Sequence, residues 1–193
     1  MPWEKQFDVD EVLDKAMQAF WERGYQGTSM QDLVERTGIH RGSLYATYRD
    51  KQALFRAALL RYDERVRGRL LERLESLDQP REAIRQALMA FVEGLSDKGG
   101  NKGCFMTNTA LELAAHDREV GRIVAHAQED MEAFFARMVD KGKQRGEIGA
   151  HVDSRAAARG LLASFLGLVV LTRSRPQRSL LESIVAEAMR RLD

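Results

Sequence analysis

The sequence predicts an all-α protein of about nine helices, arranged as an N-terminal three-helix domain followed by a larger helical domain. Two observations predict this fold class. Apolar residues recur at intervals of three and four along most of the 193 residues, and no stretch sustains the alternation of a half-buried strand. Three prolines and several glycines separate the periodic stretches, at positions where helices begin or end.

Three helices are predicted in the N-terminal part of the chain. They cover about residues 8–23, 30–37 and 41–48. Gly24 follows the first helix, as a glycine at a C-terminal cap does. Ser29 is placed to cap the second helix, and Gly38 interrupts the chain before the third.

Longer helices are predicted in the rest of the chain. Asp50 is the expected N-cap of a helix that extends to about Leu77, and Pro80 opens the next helix at a position that tolerates proline. The other predicted helices cover about residues 81–94, 104–115, 118–145, 154–173 and 177–192. The Gly-rich stretch "SDKGGNKG" at 96–103 is predicted to be a flexible connection.

Length and cysteine content restrict the class of protein. The chain is long enough to bury a sizeable core without a metal or a disulfide, and a single cysteine cannot form an internal disulfide. The N-terminus lacks the apolar segment of a signal peptide, and the longest apolar run, at 161–171, is too short to cross a bilayer. We therefore expect a soluble, cytoplasmic protein with no membrane partner.

The overall charge gives no sign of a nucleic-acid partner. The net charge is +1, and residues 1–50 are acidic, with 6 Lys and Arg against 9 Asp and Glu. The next twenty residues lean basic. Any contact with DNA in the N-terminal part must therefore come from a local patch.

Residues 24–54 have the pattern of a helix-turn-helix, two short helices joined by a Gly-centred turn. The spacing places Leu33, Val34, Ile39 and Leu44 inward, and Arg41, Ser43, Tyr45 and Thr47 on an outer face. A generic three-helix bundle explains the apolar pattern equally well. It does not explain a tight glycine turn followed by an outward face of small, aromatic and basic residues, which suits a major groove.

The stretch "GYQGTSMQDLVERTGIHRGSLYATYRDKQALF" resembles the DNA-binding segment of the TetR family of transcriptional repressors, and with the preceding helix the match covers about residues 7–60. The resemblance implies a helix-turn-helix DNA-binding domain at 1–50 and an effector-binding and dimerisation domain at 51–193. It implies that a homodimer binds palindromic double-stranded operator DNA and responds to a small-molecule effector whose identity the resemblance does not give.

The resemblance also implies roles for individual residues in DNA binding. Thr28 and Ser29 match phosphate contacts at the start of the second helix, and Arg41 matches a position that can pair with guanine. The full set of expected DNA contacts is Thr28, Ser29, His40, Arg41, Ser43, Tyr45, Thr47, Tyr48 and Lys51. Some family members have an arginine where this chain has Met30, so the operator sequence does not transfer.

The last two predicted helices are candidates for a dimer interface, because the first is apolar nearly all round and the second carries a continuous apolar stripe. The residues expected at this interface are Leu162, Phe165, Leu166, Val169, Leu181, Ile184, Val185, Ala188 and Met189. Packing within the core of one protomer is the alternative for both helices.

An aromatic- and Met-rich interior predicts a pocket for an apolar or aromatic effector. The helix at 51–77 joins this part of the chain to the DNA-binding domain, so we expect it to transmit the effect of effector binding. The residues expected to line the pocket are Phe91, Cys104, Phe105, Asn108, Glu112, Phe134 and Phe165. Ordinary core packing is the alternative for each of them.

Cys104 supports a second interpretation of the effector response. The segment "KGCFMTNTALEL" resembles a TetR branch that includes repressors triggered by electrophiles or oxidants through a cysteine after Lys-Gly, and relatives assigned to signals such as copper. A cysteine in the first turn of a helix is activated by the helix dipole, and Lys102 is placed to help. The alternative is that Cys104 is a buried small hydrophobe.

The sequence predicts neither a metal site nor an enzyme. Cys104, Asn108, Glu112 and His116 recur every four residues, but they span about 18 Å of helix, too far for one ion. No paired-carboxylate, nucleophile–base or cofactor motif is present. We therefore predict a homodimeric, ligand-responsive repressor, with a repressor triggered through Cys104 as the alternative. An interaction protein whose helix-turn-helix does not bind DNA is a third possibility.

Overall fold

The structure is a computed structural model that describes residues 7–95 and 102–193. The predicted flexible connection at 96–103 therefore lies mostly outside the described residues. The described part is helical, with the following elements: α1 (Val9–Arg23), α2 (Met30–Thr37), α3 (Arg41–Tyr48), α4 (Lys51–Tyr62), a π-helical segment (Asp63–Gly68), α5 (Arg69–Glu75), α6 (Pro80–Met89), α7 (Phe105–Glu112), α8 (Arg118–Gln144), α9 (Ser154–Ser174) and α10 (Arg178–Arg190).

The long helix predicted from Asp50 to Leu77 is present as one continuous helical segment made of α4, the π-helical segment and α5. Asp50 caps its start by accepting a hydrogen bond from the backbone N–H of Ala53 at 2.7 Å. The residues at both joints, Asp63 and Arg69, have right-handed helical dihedrals. Hydrophobic periodicity does not reveal a π turn, because the chain stays helical and only the hydrogen-bond register changes.

The N-terminal unit is built on α1, which packs along α4 and α2. Phe20 of α1 is fully buried and meets Phe55 of α4 edge to face, with the ring centroids 5.0 Å apart. Arg61, near the end of α4, donates a hydrogen bond from Nε to Asp14 at 2.8 Å and is only 9% exposed. From Phe55 to Arg61, α4 is therefore packed on α1, and the expected domain division at residue 50 stays a prediction.

The C-terminal unit is built on the long helices α8 and α9, which pack along each other; α6 and α7 pack on α8, and α10 packs on α9. Asp117 caps α8 by accepting from the backbone N–H groups of Glu119 and Val120, and Asp153 caps α9 by accepting from the backbone N–H of Ala156. Phe134 and Phe135 of α8 are fully buried between these helices.

Among the described residues, α9 alone is long and apolar enough to span a membrane by length and composition. This differs from the expectation based on the short apolar run at 161–171, because the helix extends beyond that run at both ends. Leu161, Phe165 and Leu168 of α9 are buried against neighbouring helices of the same chain. One face of α9 therefore belongs to the core of the protomer.

Candidate DNA-binding surface and effector cavity

Short-range contacts define both the start of α2 and the turn that joins it to α3. Ser29 and Asp32 form a capping box at the start of α2: the Ser29 hydroxyl accepts from the Asp32 N–H at 3.1 Å, and the Asp32 carboxylate accepts from the Ser29 N–H at 2.8 Å. Gly38 ends α2 in the left-handed conformation, with φ +74°, which favours glycine. His40 is exposed and directly precedes α3, but its side chain makes no capping hydrogen bond.

The outer face of α3 presents Arg41 and Tyr45 to solvent. The Arg41 guanidinium lies 5.6 Å from the centre of the Tyr45 ring, and its Nη2 donates to the Tyr45 hydroxyl at 3.3 Å. Ser43 and Thr47 of the same helix are half-buried, and the Thr47 hydroxyl donates to the Ser43 carbonyl at 3.0 Å. Of the four residues predicted on the outer face of α3, Arg41 and Tyr45 are exposed, whereas Ser43 and Thr47 are half-buried.

Thr28 is placed differently from what the sequence suggested. Its side chain is fully buried, and its hydroxyl donates to the Gly24 carbonyl at 2.7 Å, so it joins the end of α1 to the start of α2. A hydroxyl held in this way does not face a phosphate. The neighbouring Ser29 is exposed, which leaves it as the outward residue of the pair.

Tyr48 and Lys51 lie where α3 meets α4. The Tyr48 ring is half-buried, its hydroxyl donates to the Val9 carbonyl at 3.5 Å, and burial raises its pKa. The Lys51 ammonium sits 4.2 Å from the centre of the Tyr25 ring, and burial lowers the pKa of this lysine. The aromatic face holds the charge of Lys51 at the start of α4, beside the helix-turn-helix.

A cavity of about 330 Å³ is lined by residues of α1, α4, the π-helical segment, α5, α7, α8 and α9. Phe91, Cys104 and Phe165 line it, as the sequence suggested. The lining also includes residues that were not expected there: Trp21, Tyr62, Val66, Arg67, Leu70, Arg73, Ala90, Glu93, Met106, Thr107, Ala127, Gln128, Met131, Leu162 and Leu166. Several belong to the aromatic- and Met-rich interior, but helix periodicity gives no sign that Trp21 of α1 contacts this cavity.

The other four residues expected in the pocket do not line this cavity. Phe105 is buried in a chain of rings, with its centroid 5.5 Å from that of Phe55, and Phe134 is buried in the core. Asn108 donates to the Lys102 carbonyl at 2.8 Å. These residues share the helices that line the cavity, but they point towards other neighbours.

Glu112, the fourth of these residues, ties α7 to the N-terminal unit. Its carboxylate accepts from the backbone N–H of Tyr25 at 3.1 Å and from that of Gln26 at 2.8 Å. Both N–H groups follow the C-terminal end of α1. Glu112 therefore does not line this cavity; with Phe105 and Asn108 it lines a second cavity of about 350 Å³ beside the end of α1.

Cys104 directly precedes α7 and is 6% exposed. The Tyr62 hydroxyl donates to its Sγ at 3.6 Å, and burial raises the pKa of Tyr62 well above its ordinary value. Lys102 does not assist the thiol as expected, because its ammonium lies 2.7 Å from the Glu22 carboxylate and 5.6 Å from the centre of the Trp21 ring. The thiol is thus reached through the cavity.

Arg67, on the π-helical segment, is the most buried of the charged residues that line the cavity, since Arg73 and Glu93 are exposed. Its side chain is 11% exposed and pairs with Asp63 and, at 2.8 Å, with Asp130. Burial opposes the charge, but the two carboxylates outweigh it and raise the pKa of Arg67. Its Nη1 is buried and has no hydrogen-bond partner among the described residues.

The residues expected at a dimer interface fall into two groups. Phe165, Val169, Leu181, Val185 and Ala188 are buried in the protomer's own core, so they are not available to a second copy. The half-buried residues are Leu162, Leu166, Ile184 and Met189, and the first two line the cavity. The exposed face of α9 instead carries Ala156, Ala163, Gly167 and Val170.

Two family models match the chain. The model described as bacterial regulatory proteins of the tetR family matches residues 12–58, and the model described as the tetracyclin repressor-like C-terminal domain matches residues 80–190. Together they cover both the helix-turn-helix and the helices around the cavity.

Individual proteins are similar over nearly the whole chain. The uncharacterised HTH-type transcriptional regulator YezE of Bacillus subtilis is 38% identical over 170 residues, 88% of each chain. The HTH-type transcriptional repressor ComR of Escherichia coli is 31% identical over 96% of this chain and 89% of its own length. A cysteine mutant of the TetR family regulator CifR, solved with a 26-base-pair operator DNA, superposes with a TM-score of 0.84 at 27% identity, over 98% of both chains.

Proposed function

Because the chain belongs to the TetR family of bacterial regulatory proteins, we propose that it is a homodimeric repressor that leaves a palindromic operator when a small molecule fills the cavity. Its relatives are DNA-binding transcriptional regulators, so the chain is a regulator of transcription and not an enzyme. We infer that it acts in the cytoplasm, where its DNA target is located.

The observation that carries the DNA-binding proposal is the outer face of α3. Arg41 and Tyr45 are exposed there, and the eight-residue helix is short enough to lie in a major groove. Ser29 and Lys51 stand at the starts of α2 and α4, on either side of α3, where N–H groups and a lysine suit phosphates. His40, Ser43, Thr47 and Tyr48 complete the proposed DNA-contacting set.

Dimerisation supplies the second helix-turn-helix that a palindrome requires. The small exposed residues Ala163 and Gly167 of α9 permit close approach of a second copy of the same helix, and the half-buried Ile184 and Met189 lie on the adjacent α10. We place the interface on this outward face, related by a two-fold axis, in the manner of a four-helix bundle.

Coupling between the cavity and the DNA-binding surface runs through α1 and α4. Trp21 lines the cavity, meets the Tyr62 ring edge to face with the centroids 4.9 Å apart, and donates from Nε1 to the Gly103 carbonyl at 2.9 Å. A molecule that displaces Trp21 therefore acts directly on α1. A ligand weakens DNA binding to the extent that it binds more tightly to the conformation with Trp21 displaced than to the conformation that binds DNA.

The alternative trigger is covalent modification of Cys104. The support for it is that the thiol lines the cavity, where it contacts the Tyr62 hydroxyl. Its burial restricts the trigger to an electrophile or oxidant small enough to enter. In both versions the signal starts at the same cavity and uses the same contacts to α1.

DNA from the promoter region of the protein's own gene tests the proposal. The parent protein should bind it in a salt-dependent way by fluorescence anisotropy, and the double variant Arg41→Ala, Lys51→Ala should not bind. The control is Arg178→Ala, since Arg178 is an exposed arginine of α10, remote from α3. Absence of binding by the parent protein would refute the proposed function.

A further inference from the structure

The ammonium group of Lys51 is held by a ring that the expected set of DNA contacts does not include. It lies 4.2 Å from the centre of the Tyr25 ring, within the distance at which an ammonium is attracted to the face of an aromatic ring. Tyr25 lies in the turn between α1 and α2, and Lys51 is the first residue of α4. The contact therefore joins the two chain segments that flank the helix-turn-helix.

The position of the Tyr25 ring is fixed by contacts with three helices. It meets the Phe55 ring of α4 edge to face with the centroids 5.1 Å apart, and it stacks with the Phe20 ring of α1 at 6.3 Å. Both phenylalanines are fully buried. The backbone N–H of Tyr25 donates to the Glu112 carboxylate of α7 at 3.1 Å. The rigid ring therefore determines where the flexible Lys51 side chain is held.

Holding Lys51 in place favours phosphate binding. A lysine has a flexible side chain, and ordering one such side chain on binding lowers affinity by about two- to tenfold. The Tyr25 ring restricts Lys51 before DNA arrives, so less of this cost is incurred on binding. Lys51 is half-buried and begins α4, so its ammonium lies at the positive end of the helix dipole, which also attracts an anion.

From these contacts we propose that Tyr25 is a positioning residue for DNA binding, whose ring holds the Lys51 ammonium against an operator phosphate and keeps it there in the complex. This inference rests on the proposed function, which places Lys51 among the DNA contacts. Tyr25 acts through Lys51 and needs no contact of its own with DNA. In a homodimer the pair occurs once in each half-site, so its effect on operator affinity is squared.

A double-mutant cycle between positions 25 and 51 tests this role, with anisotropy titrations of DNA from the promoter region of the protein's own gene. Tyr25→Leu removes the ring and should weaken binding by about fivefold or more, as loss of preordering at two half-sites implies. Tyr25→Phe is the matched control, because it keeps the ring, and should change affinity by less than about twofold. Combined with Lys51→Ala, Tyr25→Leu should also change affinity by less than about twofold.

Two results of the cycle overturn the inference. Equal losses from Tyr25→Leu with and without Lys51 mean that the ring only supports the fold. Tighter binding by Tyr25→Leu means that the ring withholds Lys51 from DNA. A parent protein that does not bind the promoter DNA refutes the proposed function instead, whereas binding without coupling between the two positions refutes this inference alone.

Nuclear magnetic resonance of the lysine side chains gives a second, direct measurement. The ring current of Tyr25 should shift the ε-methylene protons of Lys51 upfield of those of other lysines, since the adjacent ammonium lies over the ring. The signal is identified by its absence in Lys51→Ala. It should keep its upfield shift when operator DNA is added and lose it in Tyr25→Leu. An ordinary shift in the parent, or loss of the upfield shift on DNA binding, overturns the inference, and these parent spectra decide if Tyr25→Leu does not fold.

Discussion

The carboxylate of Glu112 accepts a hydrogen bond from the backbone N–H of Tyr25 at 3.1 Å, so α7 of the C-terminal unit is tied to the end of α1. The same carboxylate accepts from the N–H of Gln26. These N–H groups follow a helix that ends in Gly24, with φ +76°, and a glycine is needed there because a Cβ would lie 2.7 Å from Glu112 Oε2. One side chain thus joins the C-terminal unit to the N-terminal unit.

Glu112→Gln should lower the free energy of unfolding by about 1–3 kcal/mol, because an amide replaces one of the two accepting oxygens with a donor that faces an N–H. Urea denaturation followed by circular dichroism measures this loss. Glu129→Gln is the control, since Glu129 is well exposed on α8 and should change stability by less than about 0.5 kcal/mol. A Glu112 variant as stable as the control would contradict a stabilising role for the hydrogen bonds between Glu112 and the backbone after α1.

Gly38→Ala should destabilise the protein by about 1–2 kcal/mol, because Gly38 has a left-handed φ of +74° that a Cβ disfavours, although no atom lies within 4 Å of it. Gly42→Ala provides the comparison within the same motif. Gly42 lies inside α3 and also has free space for a Cβ, so alanine should stabilise it by about 0.5–1 kcal/mol. Relative to the parent, the urea midpoint should fall in Gly38→Ala and rise in Gly42→Ala. A shift of both midpoints in the same direction would disprove the left-handed conformation of Gly38.

Arg41 and Lys51 should differ in how they affect DNA binding. Lys51→Ala should weaken binding to all sequences and reduce the slope of log K against log salt by about 0.9 for each phosphate that is no longer neutralised. Arg41→Ala should cost about 1–3 kcal/mol on the cognate operator and less on other sequences. Anisotropy titrations at several salt concentrations measure both effects, and identical behaviour of the two variants would refute the division of roles.

Cys104 should react slowly in the native protein, because it is 6% exposed and lies inside the cavity. We expect N-ethylmaleimide to modify it at least about tenfold more slowly in buffer than in urea, as judged by mass spectrometry. For the alternative trigger, Cys104→Ser should stay on the operator when N-ethylmaleimide or hypochlorite is added, while the parent is released. Equal release of both proteins rules out the thiol as the trigger.

Glu22 should titrate below its ordinary pKa of 4.5, because the Lys102 ammonium hydrogen-bonds to its carboxylate. A folded-state pKa below the unfolded one means that this pair stabilises the protein above about pH 4.5 and that the contribution is lost as the pH falls through the lower value. Carboxyl chemical shifts in the parent and in Lys102→Met measure the difference. An unchanged Glu22 pKa in the variant would contradict the contact.

The helical fold and the helix-turn-helix could be predicted because their signals are local. The Ser29 cap and the Gly38 turn act on residues within four positions, and the 3.6-residue period marks which face of each helix is apolar. The TetR resemblance suggested by residues 24–54 is confirmed by the family models. Nothing in that short-range pattern shows that the Thr28 hydroxyl turns inward.

The sequence by itself determined the all-α fold, the family and the outward face of α3, since each depends on neighbouring residues. Only the tertiary structure decided which helix faces meet. It separates Cys104, which lines the cavity, from Glu112, which bonds to backbone groups 86 and 87 residues away. It also brings Trp21 of α1 into the cavity. The physical reason is that an apolar or polar face can be satisfied by several partners, and the packing of the whole chain selects one.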